Sequence, residues 1–212
     1  MTPRKRLPAA QRRALILDRA AEVFAERGYS GTSVNEVARR SGVSIPVLYD
    51  HFPSKLALFR SVLDDEYARL RDVWGDDDGA GIPVEKRLAA ALDAWFAHIE
   101  RRPNVALVLL RAPAGDDEAQ RVQDAAIRDS RSALLPLVVR LFEESAPGSD
   151  PLDAEILVEL VTASLRALAL WWHDRPEVPR AKLVSSMMDT LGAGIGRRLD
   201  RSSGQVPPQP GE

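Results

Sequence analysis

Apolar residues in this chain recur at steps of three and four almost from end to end. No stretch alternates apolar with polar residues long enough to make a sheet strand. That single period restricts the molecule to helices packed on helices, an all-α fold of about nine helices. The first is predicted over 9–27, with Ile16, Ala20, Val23, Phe24 and Arg27 recurring at three- and four-residue steps and Gly28 as its stop. A short second helix begins after Thr32 or Ser33 and ends near Arg40, a third covers 44–51, and a fourth opens near Ser54. The glycine-rich acidic run GDDDGAGIP separates these from a fifth helix over 84–101. Pro103 opens a sixth around VALVLL. The seventh, over 117–145, carries Pro136, where an interruption or kink is expected. Asp150 and Pro151 suit the cap and first residue of an eighth helix ending near Trp172. Pro179 starts a ninth that ends near Leu199.

Composition removes several classes of function. With no cysteine among 212 residues, disulfides, thiolate metal sites and cysteine nucleophiles are excluded. The three histidines, His51, His98 and His173, are too far apart in sequence to suggest a metal site. No metal and no cofactor are expected. The basic start MTPRKRLPAAQRR has no apolar run behind it, and VALVLL and LRALALWW are too short to span a bilayer. A cytoplasmic protein without membrane association is the expectation.

The charge is unevenly divided. Residues 1–60 hold 11 Lys and Arg against 5 Asp and Glu, a net +6, which leaves −8 for the remainder of a chain that totals −2. A basic first quarter on an acidic body suits a nucleic-acid-facing module joined to something that avoids nucleic acid.

Within that quarter, two short helices joined by Ser41-Gly42-Val43 have the form of a helix-turn-helix. Gly42 can take the left-handed conformation the turn needs, and Ala38 is small where the helices cross. Val34, Val37, Val43 and Leu48 are expected to fill the space between them. Ser44 is placed to cap the third helix through its hydroxyl. Pro46 falls in the first turn, where its missing amide would have no partner. With Leu48 inward, Phe52 is inward too, and Pro46 and Asp50 face away. Pro53 forces Phe52 out of helical geometry and ends the helix. In a helix-turn-helix the outward face enters the major groove.

The pieces AAEVFAERGYSGTSV, EVARRSGVS and LYDHFPSK, in order between Arg12 and Phe59, resemble the DNA-binding domain of the TetR family of bacterial transcriptional regulators. The resemblance implies a basic arm at 1–8, a three-helix DNA-binding domain at 9–53, a helical ligand-binding and dimerisation domain at 54–201, and a tail at 202–212. It implies phosphate contacts by Thr32, Ser33, Ser44, Tyr49, His51 and Lys55, with Ile45, Pro46 and Val47 nearest the bases. Ile45 and Val47 stand where the family often has polar or small residues. Apolar groups cannot read donors and acceptors but can pack on thymine methyls. Polar reading then falls to the arm Arg4-Lys5-Arg6 or to Arg39 and Arg40, and the arm is equally consistent with a basic tail that only aids solubility. Asp50 either accepts from a cytosine amino group or is solvated.

One short reading helix needs a symmetric dimer, so double-stranded operator DNA and a homodimer through the eighth and ninth helices are the expected partners. Small residues there, Ala163, Ser164, Ala167 and Ala169, then Ser185, Ser186, Gly192, Ala193, Gly194 and Gly196, let helices approach closely. Large side chains in the acidic body, among them Tyr67, Trp74, Trp95, Phe96, Ile99, Phe142 and Trp171, either form core or line an apolar ligand cavity, with His98 or Asn104 as polar groups. The leading expectation is a repressor released from a palindrome by a small apolar or amphipathic effector. The alternative is a ligand-independent or architectural DNA-binding protein. An enzyme is not expected, because no nucleophile–base constellation is legible.

Overall fold

A computed structural model describes residues 8–74, 82–145 and 150–190. The described residues are helical with no strand among them, as the periodicity predicts. The basic arm, the GDDDGAGIP loop from Gly75 to Gly81, the run LGAGIG, the end of the ninth helix and the tail lie outside the described residues.

The helices are α1 (Ala9–Gly31), α2 (Val34–Ser41), α3 (Ile45–His51), α4 (Lys55–Trp74), α5 (Val84–Arg101), α6 (Pro103–Leu110), α7 (Asp117–Ser145) and α8 (Pro151–His173). A ninth, α9, covers 180–190. The chain forms two compact units, one of residues up to Arg71 with Arg102–Arg128, the other of Asp72–Arg101 with the residues from Asp129 onward. The helices α4 and α7 contribute to both.

In the first unit, α1 packs on α2 and on α6, and α2 on α3. Ile16, Ala20, Val23 and Phe24 are buried on the predicted face of α1, whereas Arg27, expected to continue it, is exposed because its charge stays in water. Gly28 then breaks helical geometry at φ 67°, ψ 174°, so the segment Tyr29–Gly31 is a separate turn appended to the helix. The position favours glycine because side-chain-bearing residues rarely adopt positive φ. Tyr29 returns to the core, stacked on Phe24 at 6.0 Å and edge-on to Phe59 at 5.0 Å.

Three segments distant in sequence meet in an ion network. Arg102, just before α6, reaches Glu66 of α4 at 3.0 Å and Asp18 of α1 at 2.9 Å. Glu66 is 2% exposed, and Arg69 lies 3.8 Å from it. The end of α6 is tied down by a residue that periodicity does not single out. Fully buried Gln123 of α7 donates through Nε2 to the carbonyls of Leu109 and Arg111, both at 3.0 Å. These are the terminal acceptors that a helix cannot satisfy internally.

The second unit buries Leu92, Trp95, Phe96 and Ile99 on one face of α5. Phe96 sits edge-on to both Trp95 (5.1 Å) and Trp172 of α8 (5.8 Å). Trp172 Nε1 donates to the Val178 carbonyl at 2.8 Å, so the indole is satisfied while its body is buried. Arg180 at the start of α9 pairs with Asp93 and Glu100 of α5. Asp150 caps α8 by accepting from the Leu152 amide at 3.0 Å, with Pro151 as first residue.

Helix α7 runs from Asp117 to Ser145, so of the interruption or kink expected at Pro136 the interruption does not occur. A proline removes one backbone hydrogen bond, which a helix of 29 residues can lose without ending. Among the described residues no helix is long and apolar enough to cross a membrane, and no group of three metal-ligating side chains converges.

Candidate nucleic-acid interface

The turn between α2 and α3 follows from its glycine. Gly42 is left-handed at φ 65°, ψ 30°. Its amide donates to the Arg39 carbonyl at 3.2 Å, and the Val43 amide donates to the Ala38 carbonyl at 3.1 Å. This pair of bonds is a Schellman ending, which closes α2 and aims the chain into α3. Val37, Ala38 and Leu48 form the buried contact between the helices, whereas Val34 and Val43 are only half-buried.

The Ser44 hydroxyl makes no cap bond; the helix starts instead on the Ser44 carbonyl, which accepts from the Leu48 amide at 3.0 Å. Pro46, in the first turn, costs no hydrogen bond there. At the other end Phe52 is extended at φ −140°, ψ 103°, as the residue before Pro53 must be. Its ring is 1% exposed and lies 5.1 Å beneath the Arg13 guanidinium. Leu48 and Phe52 thus fix the rotation of α3 about its own axis.

That rotation presents a definite outer face. Ile45 is 40% exposed and Tyr49 46% exposed, Ser33, Ser44, Pro46 and Asp50 are exposed, and Val47 and His51 are half-buried. Two residues that the family resemblance assigns to phosphate contact have internal partners. The Thr32 hydroxyl donates to the Gly28 carbonyl at 2.6 Å and is buried. The Lys55 ammonium lies 4.5 Å above the Tyr29 ring and donates to the Ser30 carbonyl at 3.3 Å. Burial holds the Lys55 pKa below its ordinary value, with Asp116 acting in the opposite direction. Ser30 in turn donates to the Ala114 carbonyl at 2.8 Å, joining this corner to the loop before α7.

The two arginines of α2 are also engaged. Arg40 makes a bidentate pair with Glu26 of α1, both bonds at 2.7 Å, and a further bond to Glu36 at 2.8 Å. Arg39 holds both oxygens of the same Glu36, at 2.9 and 2.8 Å. Hydrogen bonds from Arg39 and Arg40 depress the Glu36 pKa from its ordinary 4.5 to about 2, and Arg40 lowers Glu26. A carboxyl depressed by folding stabilises the fold above its unfolded pKa and loses that contribution as it protonates. The clasp between α1 and α2 is therefore expected to hold at neutral pH and weaken as pH falls from about 4.5 towards about 2. Urea midpoints measured across that window should fall less for Glu36→Gln than for the unaltered protein.

Of the side chains expected to form a ligand site, Trp95, Phe96 and Ile99 come together in the second unit, and Tyr67 belongs to the first. Trp171 is 42% exposed beneath Arg175, while its neighbour Trp172 takes the buried place against Phe96. The side chains of Trp74, Asn104 and Phe142 lie outside the described residues. Sequence reasoning missed the Glu26–Arg40 clasp, Arg13 over Phe52, and the seat of Lys55 on Tyr29. Each joins residues at least 14 positions apart, beyond any local pattern.

A left-handed glycine joining two short helices, the second held by apolar anchors with its outer face free, is the architecture of helix-turn-helix proteins. Residues 16–62 match the model described as "Bacterial regulatory proteins, tetR family". Residues 84–194, more than half of the chain, match "Tetracyclin repressor-like, C-terminal domain". The chain belongs to the TetR family.

It is similar to the HTH-type transcriptional activator FasR of Mycolicibacterium smegmatis, at 42% identity over 45% of this chain and 43% of FasR. It is also similar to the HTH-type transcriptional repressor KstR2 of Mycobacterium tuberculosis, at 36% identity over 52% of each. The chain thus spans about half the length of these curated relatives. The crystal structure of the transcriptional regulator FadR from Bacillus subtilis in complex with stearoyl-CoA superposes with a TM-score of 0.72, covering 84% of this chain and 96% of FadR. At 19% identity that likeness is one of fold.

Proposed function

We propose that the protein is a homodimeric transcriptional repressor that binds a palindromic operator and is released by a small apolar or amphipathic effector. The observation that carries the reading is the outer face of α3, oriented by Leu48 and Phe52 and exposed at Ile45, Pro46, Tyr49 and Asp50. Tyr49 and His51 at its edge supply phosphate donors, together with Ser33 and Ser44. Lys55 would join them on leaving the Tyr29 ring. The activator reading is favoured by the name of FasR, the repressor reading by that of KstR2.

Support for the dimer comes from α8. Leu152, Ile156, Leu160, Ala163, Ala167 and Trp171 are all exposed, at spacings that place them along one stripe of the helix. Leu160 at 53% exposure is an apolar side chain suited to burial by a second copy. Exposed Ser185 and Ser186 on α9 are small enough to admit a close partner, whereas Ala169 is buried within the subunit and Ser164 is half-buried, so these two fall off the stripe. For the effector, the Trp95–Phe96–Trp172 cluster offers an apolar wall in the second unit. Stearoyl-CoA, present in the FadR structure, is the first candidate to test.

Selection of bound sequences from random DNA is the deciding experiment. A single enriched palindrome is expected, and Tyr49→Phe should weaken binding to it by about two- to tenfold per half-site, or about five- to a hundredfold for the dimer, the worth of one hydrogen bond in each half. Leu160→Glu should yield a monomer by sedimentation and lose the palindrome. Enrichment of no sequence over bulk DNA would leave the architectural alternative in possession. A reporter placed behind the selected site then gives the sign of regulation.

A further inference from the structure

We propose that α3 reads its half-site through C5-methyl groups of pyrimidines in the major groove, with Ile45 as the specificity-determining residue. The inference rests on the operator-binding reading above and deepens it. The first turn of α3 carries Ile45 and Pro46, both exposed, and half-buried Val47, none of which can donate or accept a side-chain hydrogen bond. Three described cations near the helix-turn-helix each have a partner inside the domain, although that of Arg39, 72% exposed, is a surface pair. Arg40 is bonded to both Glu26 and Glu36, Arg39 to Glu36, and Lys55 to the Ser30 carbonyl over the Tyr29 ring.

Rotation of α3 cannot bring other groups to the tip. Leu48 and Phe52 are both 1% exposed and pin the opposite face, so turning the helix would expose two large apolar side chains. Ile45, 40% exposed at the first position of the helix, therefore leads into the groove. The one major-groove feature an aliphatic group can distinguish is a methyl on C5, absent from guanine, adenine and unmodified cytosine. Thymine and 5-methylcytosine both carry it. Thymine is the source the inference commits to, because it is a standard base of DNA.

The test uses the full-length protein and the selected palindrome. Each thymine is replaced in turn by deoxyuridine, which removes only the methyl group. One symmetric pair of positions is expected to lose affinity by about fourfold per methyl, or about fifteenfold for the two half-sites together, from the transfer of one carbon out of water. Replacing that thymine by 5-methylcytosine, with guanine opposite, should restore more affinity than cytosine does at the same place. Ile45→Ala, at an exposed position that leaves the fold intact, should bring the thymine-to-uracil ratio close to one, with an unchanged melting temperature.

Equal binding of every uracil-substituted site would overturn methyl reading while leaving operator binding in place. Full discrimination retained by Ile45→Ala would overturn the assignment to that side chain. Enrichment of no palindrome would remove both this inference and the function beneath it.

Discussion

Replacing Arg102 by alanine is expected to destabilise the protein by about 3 kcal/mol, the low end of what is lost when one partner of a buried ion pair is removed. Arg102 carries that weight because Glu66 is 2% exposed and takes its 3.0 Å ion pair from this guanidinium. Arg69 is 3.8 Å from Glu66 and engaged with Asp65 at 2.9 Å. Loss of the guanidinium also leaves Asp18 with Arg69 at 3.8 Å, so the start of α6 loses its tie to α1 and α4. The low end is appropriate because Arg102 is partly open to water. Urea denaturation of Arg102→Ala and of the double variant Arg102→Met/Glu66→Met tests the cause. If the buried carboxylate is responsible, the double variant should recover most of the loss, since a well-packed apolar replacement of a buried pair is often neutral or better. Equal loss in both variants would refute this account.

Phe52→Ala is expected to cost about 3–5 kcal/mol, the range for truncating a buried aromatic side chain. The functional loss should exceed the thermodynamic one. Phe52 anchors the end of α3, and without it the face from Ile45 to Asp50 has no fixed direction. Specific DNA binding should be abolished at temperatures where circular dichroism still reports a largely helical chain. Tyr49→Ala is the control: at 46% exposure it should barely change stability. Intact palindrome binding by a folded Phe52→Ala protein would show that the rotation of α3 is set by other contacts.

The elements were largely legible because helices are local. The bounds of α5 and α7 match the sequence expectation, since Pro103 and the acidic turn before Asp117 punctuate them plainly. Gly42 was readable as a left-handed position from the turn it closes, and Gly28 as a helix stop, where the chain takes φ 67°. What sequence could not show is partnership at a distance. Nothing near Arg40 announces Glu26, and nothing near Arg102 announces Asp18, 84 positions earlier. For the same reason Thr32 and Lys55 looked available for phosphate, yet their polar atoms meet Gly28 and Ser30. Ser44 shows a different failure. Its residue type suits a side-chain cap, but the chain uses only its carbonyl.

The Gly42 turn, Leu48 and Phe52 separate what holds α3 from what α3 displays. Positions 45, 46, 49 and 50 are exposed, while 48 and 52 carry the packing. Such a division makes the helix an interchangeable reading head. Libraries randomised at those four outward positions can be screened against new operators without re-solving the folding problem, provided the residues at 42, 48 and 52 are left untouched.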